Sequence, residues 1–186
     1  MVVVYCIVAV VLVLGLALVV MYNRFVRQRT LVDESWGQID VELTRRHDLI
    51  PNLVRTVQGY AEHERTVLAE LTAAREQAQT HRADSPAERA PVEDALGRAV
   101  TTVLARAEAY PDLKASANFL ELQQQLATTE DRIAAARRFY NGNVRALNTR
   151  ISTFPSNMVA SAFGFTARDF FEVSDPGERA VPSVEL

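Results

Sequence analysis

The chain begins with one uninterrupted apolar run. Between Val2 and Met21 there is no charged side chain, and Val, Ile and Leu fill most of the positions. An α-helix of about twenty such residues crosses the hydrocarbon core of a bilayer. Because each aliphatic residue also favours insertion, the run predicts a transmembrane anchor over residues 1–22.

Beyond the anchor, apolar residues recur at alternating steps of three and four, which is the spacing of a buried helix face. No segment there alternates with the two-residue period of a strand, so the rest of the chain is predicted to be all-α. The first seam comprises Phe25, Val32, Trp36, Ile39, Leu43, Ile50, Leu53, Val57, Tyr60, Val67, Leu71 and Ala74, and the second comprises Phe119, Leu122, Leu126, Thr129, Ile133, Ala136, Tyr140, Val144, Leu147 and Ile151.

Breaks between the helices follow from turn and capping residues. Residues 80–91 are polar and hold two prolines, which is typical of a loop, with Asp84 or Ser85 capping the next helix. The sequence YPDL at 110–113 ends that helix. The last long helix ends at Phe154-Pro155.

The first seam is too long to be covered as one helix by the rest of the chain. A rod from Thr30 to Ala78 would measure about 73 Å at 1.5 Å per residue, and the later helices could not cover it without a second chain. A break near Pro51 or Gly59 instead gives four helices that cover one another, and this is the arrangement we predict. The predicted fold is an N-terminal transmembrane helix followed by an antiparallel up-and-down four-helix bundle over residues 23–171, with a disordered polar tail over residues 172–186.

Several stretches of the chain resemble the LemA family. They include the phrases DLIPNLV, YPDLK and FPSN, and the resemblance extends from Tyr22 to Phe171, with the tail after Glu172 outside it. It implies a four-helix bundle anchored in a bacterial cytoplasmic membrane. It implies no particular enzyme activity and no set of catalytic residues.

Charge predicts the orientation of the anchor and excludes one class of partner. Arg24, Arg27 and Arg29 follow the apolar run and no charged side chain precedes it, so the positive-inside rule places the helical domain in the cytoplasm and the N-terminus outside. A cleaved signal peptide, which would release a secreted bundle, would begin with basic residues and be shorter. The net charge of -3 offers no basic surplus for nucleic acid.

The motifs of common metal and catalytic sites are missing from the sequence. His63-Glu64 begins like a zinc-protease motif, but Val67 stands where its second histidine belongs. Cys6 is the single cysteine and lies within the anchor, so neither a disulfide nor a cysteine metal site is expected. We therefore predict no catalytic, cofactor-binding or metal-binding residues.

One set of polar residues shares positions with the apolar seams or flanks them. Arg46 falls in register with the first seam, where an unpaired charge would be costly, so it should meet a carboxylate from another helix, with Glu130 and Glu108 as candidates. Ion pairs that fix helix register are the first interpretation; an anion or partner site and a catalytic site are the alternatives. The predicted network comprises Arg46, Asp48, Asn52, Glu64, Glu108, Glu130 and Arg137.

Phenylalanines are concentrated near the end of the chain. Phe163, Phe165, Phe170 and Phe171 either cap the bundle, enter the membrane interface or dock another protein. In an up-and-down bundle the last helix would bring them close to the bilayer.

The predicted function is a membrane-anchored scaffold or protein-interaction module, whose partners are the lipid bilayer and a second copy or a membrane-associated protein. The alternative is a membrane-proximal enzyme or anion-binding protein.

Overall fold

The computed structural model describes residues 1–60 and 64–172. Six helices occur in those ranges: α1 (Val2–Gln58), α2 (Arg65–Thr80), α3 (Pro86–Ala107), α4 (Pro111–Lys114), α5 (Ala117–Ser152) and α6 (Ser156–Phe163). Only helices and connecting segments are present in this part of the chain, which confirms the all-α prediction. The predicted tail lies outside the described residues except for Glu172.

The apolar run forms the first part of α1. Its side chains are exposed from Val2 to Val20, and none of them is buried. A fully exposed stretch of this length and composition fits a membrane anchor. The helix continues without a break into the segment that carries the first seam.

The break in the first seam occurs at Gly59, not at Pro51. Helix α1 passes through Pro51 and ends at Gln58, and the chain turns at Gly59 and Tyr60. Proline has no N–H, so the carbonyl of His47, four residues earlier, lacks its helical donor. The Nε of Arg75, on α2, donates to that carbonyl at 2.9 Å. A side chain thus replaces the missing backbone bond and the helix continues.

The remaining helix boundaries refine the predictions. Ser85 caps α3 through a capping box with Glu88, so the predicted loop ends there and Pro91 lies inside α3. The YPDL sequence does not simply end a helix, because residues 111–114 form the short helix α4. The apolar stretch after Pro155, for which no helix was predicted, forms α6.

The chain divides into two compact units. Unit 1 combines Met1–Ile39 with Ala135–Asp169, and unit 2 combines Asp40–Ala134 with the segment from Phe170 onward. In unit 2, one hydrophobic core draws side chains from five helices: Ile50, Leu53 and Val57 of α1, Leu68, Leu71 and Ala78 of α2, Leu96, Val100, Val103 and Ala107 of α3, Leu113 of α4, and Phe119 and Leu126 of α5.

In unit 1, α1 and α5 run antiparallel. Gln28 donates to the carbonyl of Asn143 at 3.2 Å, and further along, the Trp36 and Tyr140 rings lie 5.4 Å apart between centroids. The buried side chains of this unit come from the seams of both helices and from two residues of α6. They are Phe25, Val32, Ile39, Tyr140, Val144, Leu147, Val159 and Ala160.

Candidate functional site

A group of charged side chains is buried inside unit 2. Arg46 and His47 come from α1, and Arg89 and Glu93 come from α3; Arg46, Arg89 and Glu93 are each no more than 3 % exposed. We call these four residues the charge cluster. Burial of three full charges is costly unless each is paired and hydrogen-bonded, so their partners determine what the cluster does.

Glu93 is the centre of the charge cluster. Its carboxylate accepts from Arg46 Nη2 at 2.6 Å, from His47 Nε2 at 3.1 Å and from Arg89 Nε at 3.4 Å. Burial alone would raise the pKa of Glu93, but the hydrogen bond from His47 and the charge of Arg46 hold that pKa below its ordinary value. The carboxylate is therefore ionised at neutral pH.

The two arginines of the charge cluster also reach carboxylates at its edge. Arg46 Nη1 lies 3.0 Å from Glu130 of α5, and Nη2 donates to the backbone carbonyl of Glu93 at 2.8 Å. Arg89 Nη1 lies 2.8 Å from Asp40 of α1. The cluster thus joins α1, α3 and α5, and its charges bond one another rather than face an open site.

Gly97 allows α3 to approach Arg46 closely. A Cβ at this position would lie 3.2 Å from Arg46 Nη1, which is tighter than a normal contact. A glycine in mid-helix otherwise costs about 1 kcal/mol relative to alanine. Its position here is therefore explained by the space that the guanidinium needs.

A small cleft borders the charge cluster. It measures about 50 Å³ and is lined by His47, Asp48, Arg82 and Arg89, together with Thr44 and Gln79. A space of this size holds a few water molecules. Both arginines that line it already pair with Asp40.

The structure distributes the other predicted network residues among separate contacts. Glu108 does not meet Arg46; it faces Lys114 at 3.7 Å on the surface. Glu64 accepts from the Tyr110 hydroxyl at 3.1 Å, and Asn52 accepts from Arg55. Asp48 is exposed, and the half-buried Arg137 belongs to unit 1.

Sequence reasoning missed three members of the charge cluster: His47, Arg89 and Glu93. A signal for two of them is present in the sequence. Arg89 and Glu93 continue the same alternation of three and four as the buried residues Leu96, Val100 and Val103 of α3. Arg46 was found by this rule on α1, but residues 80–91 were assigned to a loop, and the register of α3 was not extended back to Arg89.

Four aromatic side chains meet where the apolar run ends. The Phe165 ring stacks on Phe25 with centroids 4.8 Å apart and lies 5.7 Å from Tyr22. The Phe163 ring meets Tyr22 edge-on at 5.0 Å. We call Tyr22, Phe25, Phe163 and Phe165 the aromatic junction, and all four belong to unit 1. Phe170 and Phe171 belong to unit 2, where Phe171 is buried.

The segment after α6 is held against α5. Gly164, with a φ of 72°, ends α6 in the left-handed conformation that glycine adopts without strain. The side chain of Asn148 then bonds both the N–H and the carbonyl of Arg168, each at 2.9 Å. The Tyr140 hydroxyl donates to the carbonyl of Asp169 at 2.8 Å. These bonds fix the segment that carries Phe165.

Comparison with known proteins identifies the family. A family model described as LemA family matches residues 35–186, which is most of the chain. The chain belongs to the LemA family. The match continues to Leu186, so the prediction that the tail after Glu172 lies outside the LemA pattern is wrong. The charge cluster and α6 both fall within the matched LemA region.

Individual relatives agree with this assignment. The chain is similar to Protein LemA of Metamycoplasma hominis, at 27 % identity over 166 residues, covering 88 % of this chain and 74 % of that protein. It is also similar to Magnetosome protein MamQ 2 of Paramagnetospirillum magneticum, at 22 % identity, and to Magnetosome protein MamQ of Magnetospirillum gryphiswaldense, at 21 %. Both of these alignments cover 91 % of this chain and 71 % of the relative.

Proposed function

We propose that this LemA-family protein is a single-pass scaffold that presents an antiparallel up-and-down four-helix bundle at the cytoplasmic membrane and binds a protein partner there. Residues 1–22 form the anchor and residues 23–171 form the bundle. Arg24, Arg27 and Arg29, directly after the anchor, support a cytoplasmic position for the bundle. The observation that carries the proposal is the fully exposed apolar start of α1, continuous with the helix that enters the folded body.

The contacts of the charge cluster support a scaffold over an enzyme. An enzyme built from Arg46, Glu93 and Glu130 would need these groups to converge on a pocket large enough for a substrate. They bond one another instead, and the adjoining cleft measures only about 50 Å³. Buried ion pairs of this kind fix which helices pack together, which is a role suited to a rigid binding surface.

Exposed apolar side chains offer surfaces for a partner. Val41 on α1 is 66 % exposed and Leu120 on α5 is 50 % exposed, and both belong to unit 2. Large aliphatic side chains that are exposed to solvent favour association, because a partner that covers them removes their apolar surface from water. A protein partner or a second copy of this chain is the occupant that we propose.

Site-specific photo-crosslinking in living cells tests this proposal. A photoreactive residue is placed at Val41 or at Leu120, with the exposed polar residue Thr102 of the same unit as the matched control. We expect a discrete protein adduct, or an adduct of twice the mass of the chain, from Val41 or Leu120 and none from Thr102. Absence of adducts at both apolar positions in correctly localised protein would contradict the proposal.

A further inference from the structure

Helix α6 keeps apolar side chains exposed although others of its residues are buried. Val159 and Ala160 lie in the core of unit 1. Met158 is 64 % exposed, Phe163 is 50 % exposed, and Phe154, in the turn before α6, is 75 % exposed. A segment that faced only solvent would have no use for three large exposed apolar side chains within ten residues of sequence.

The contacts of the aromatic junction fix the position of α6 along the axis of the anchor helix. Phe163 contacts Tyr22, and Phe165 contacts both Tyr22 and Phe25. At 1.5 Å per residue, Phe25 lies only about 6 Å beyond Met21, the last residue of the apolar run. The head-group layer on each side of a bilayer is about 5 to 7 Å thick. If the apolar run spans the hydrocarbon core, α6 lies at the level of the head groups.

Charge at this level is predominantly positive. The two stretches of unit 1 that meet here, residues 22–32 and 141–167, contain five arginines and no aspartate or glutamate, although the whole chain has a net charge of -3. Arg150 donates to the carbonyl of Arg24 at 3.2 Å, so basic residues from both stretches lie together. Arg168, the next residue, pairs with Asp33 at 3.1 Å and is not counted among them. Such a surface attracts anionic lipid head groups. The five residues are Arg24, Arg27, Arg29, Arg145 and Arg150.

We propose that α6 and the turn before it form a second, peripheral contact with the bilayer, at a surface rich in anionic phospholipid. Phe154, Met158 and Phe163 enter the boundary between head groups and acyl chains, and the five arginines meet lipid phosphates. A cleft of about 160 Å³ lined by Arg29, Phe165 and Arg168 lies beside the junction. The inference rests on the proposed anchoring and adds a lipid-binding surface to it.

Depth-dependent fluorescence quenching tests this contact in the full chain. Cys6, the single cysteine, is replaced in a Cys6→Ala background, and Met158→Cys is labelled with an environment-sensitive fluorophore. Phe139→Cys is the matched control, because Phe139 is 53 % exposed on α5 of the same unit. Position 139 is adjacent to Tyr140, which packs on Trp36, about 22 Å beyond Met21 along α1.

Both variants are reconstituted into phosphatidylcholine vesicles and into vesicles in which a third of the lipid is phosphatidylglycerol. Nitroxide groups on the lipid head group or near the top of the acyl chain serve as quenchers. We expect quenching at position 158 to exceed that at position 139 by about twofold or more, and to be greater in the anionic vesicles.

Other outcomes would overturn the inference. Equal quenching at both positions, or none at position 158, excludes a local contact with the bilayer. Equal quenching at position 158 in the two lipids excludes the anionic preference. A blue shift at position 158 that depends on protein concentration in detergent would assign this surface to a second copy. Resistance to alkaline extraction is measured on the same samples: if the chain is not retained in the vesicles, the anchoring itself fails, whereas retention without quenching refutes only the α6 contact.

Discussion

Individual side chains in this protein replace interactions that the backbone or the solvent would otherwise supply. Arg75 donates to the His47 carbonyl that Pro51 leaves without a helical partner. The Glu93 carboxylate accepts hydrogen bonds from three side chains in place of water. Each case depends on a pair of residues that are distant in sequence, so substitutions at one partner should reveal the other.

The hydrogen bond from Arg75 to the His47 carbonyl should stabilise the fold only because position 51 is proline. We expect Arg75→Met to lower the free energy of unfolding by about 1–2 kcal/mol, since it leaves the His47 carbonyl without a donor while keeping the apolar part of the side chain. In a Pro51→Ala background, the new backbone N–H can bond that carbonyl, and the cost of Arg75→Met should fall by about 1 kcal/mol.

Urea unfolding of the full chain in detergent micelles, for the two single variants and the double variant, measures this coupling. Arg106→Met, in the last turn of α3 in the same unit, controls for loss of an exposed positive charge. Additive effects of the Pro51 and Arg75 changes would show that the hydrogen bond to His47 does not sustain the helix through the proline.

Glu93 should control the response of unit 2 to acid. Glu93→Gln leaves Arg46 and Arg89 buried without their shared carboxylate, at a cost of about 3–5 kcal/mol. Because the pKa of Glu93 lies below its ordinary value of 4.5 in the folded chain, the wild-type carboxylate stabilises the fold above that pH, and this stabilisation is lost as the pH falls through the folded pKa.

The measurement is the free energy of unfolding as a function of pH for both chains. Below about pH 4.5 the curve of Glu93→Gln should be flatter than that of the wild type. Glu130→Gln is the control, because its carboxylate is 41 % exposed and should contribute only about 1 kcal/mol or less. Parallel curves for the wild type and Glu93→Gln would contradict the assignment of Glu93 as the centre of the charge cluster.

At the scale of elements, α5 organises unit 1. It packs against α1 through the Trp36 and Tyr140 rings, and it holds the segment after α6 through Asn148 and the Tyr140 hydroxyl. Burial raises the pKa of Tyr140 to about 12. Its hydroxyl is therefore protonated and able to donate over the physiological range.

Tyr140→Phe separates the two roles of this side chain. The ring that packs on Trp36 is kept and the bond to the Asp169 carbonyl is lost, which should cost about 1 kcal/mol at neutral pH. A raised folded pKa means that the hydroxyl stabilises the fold below its ordinary value of 10.0, and that this contribution disappears as the pH rises through about 12.

Thermal unfolding at neutral and at alkaline pH checks this prediction. The difference between the wild type and Tyr140→Phe should be present at neutral pH and should shrink above pH 10.0. Tyr60→Phe, at a position that is 50 % exposed, provides the matched loss of a hydroxyl. A difference that stays constant across this range would show that the hydroxyl is not the stabilising group.

At the scale of the whole molecule, the sequence predicted element type better than side-chain partners. The apolar run, the two seams and the Ser85 cap follow from local patterns, and the structure has a helix at each. The passage of α1 through Pro51 could not be predicted, because it depends on Arg75 from another helix. Glu93 was missed for a different reason: it follows the predicted loop over residues 80–91, and the register of Leu96 and Val100 was not extended back to it.

The anchor makes a direct prediction about where the protein resides. Removal of residues 1–22 should make the chain extractable from the membrane fraction by alkaline buffer, because no other helix in the described residues is long and apolar enough to span a bilayer. The full chain should stay in the pellet after alkaline extraction. Both are read by immunoblot of fractionated cells. A truncated chain that still resists alkaline extraction would locate the membrane attachment elsewhere.

Within unit 1, the unbroken path of α1 from the apolar run to the residues that pack on α5 couples the rotation of these two parts of the helix about its axis. Each residue of an α-helix advances the direction of its side chain by about 100°, so one residue inserted after Met21 would turn every lipid-facing position by that angle relative to Phe163 and Phe165. Seven inserted residues would restore the original phase to within about 20°. A rotation of the apolar run about the helix axis would therefore rotate the part of α1 that packs on α5 by the same angle, because the helix has no break between them.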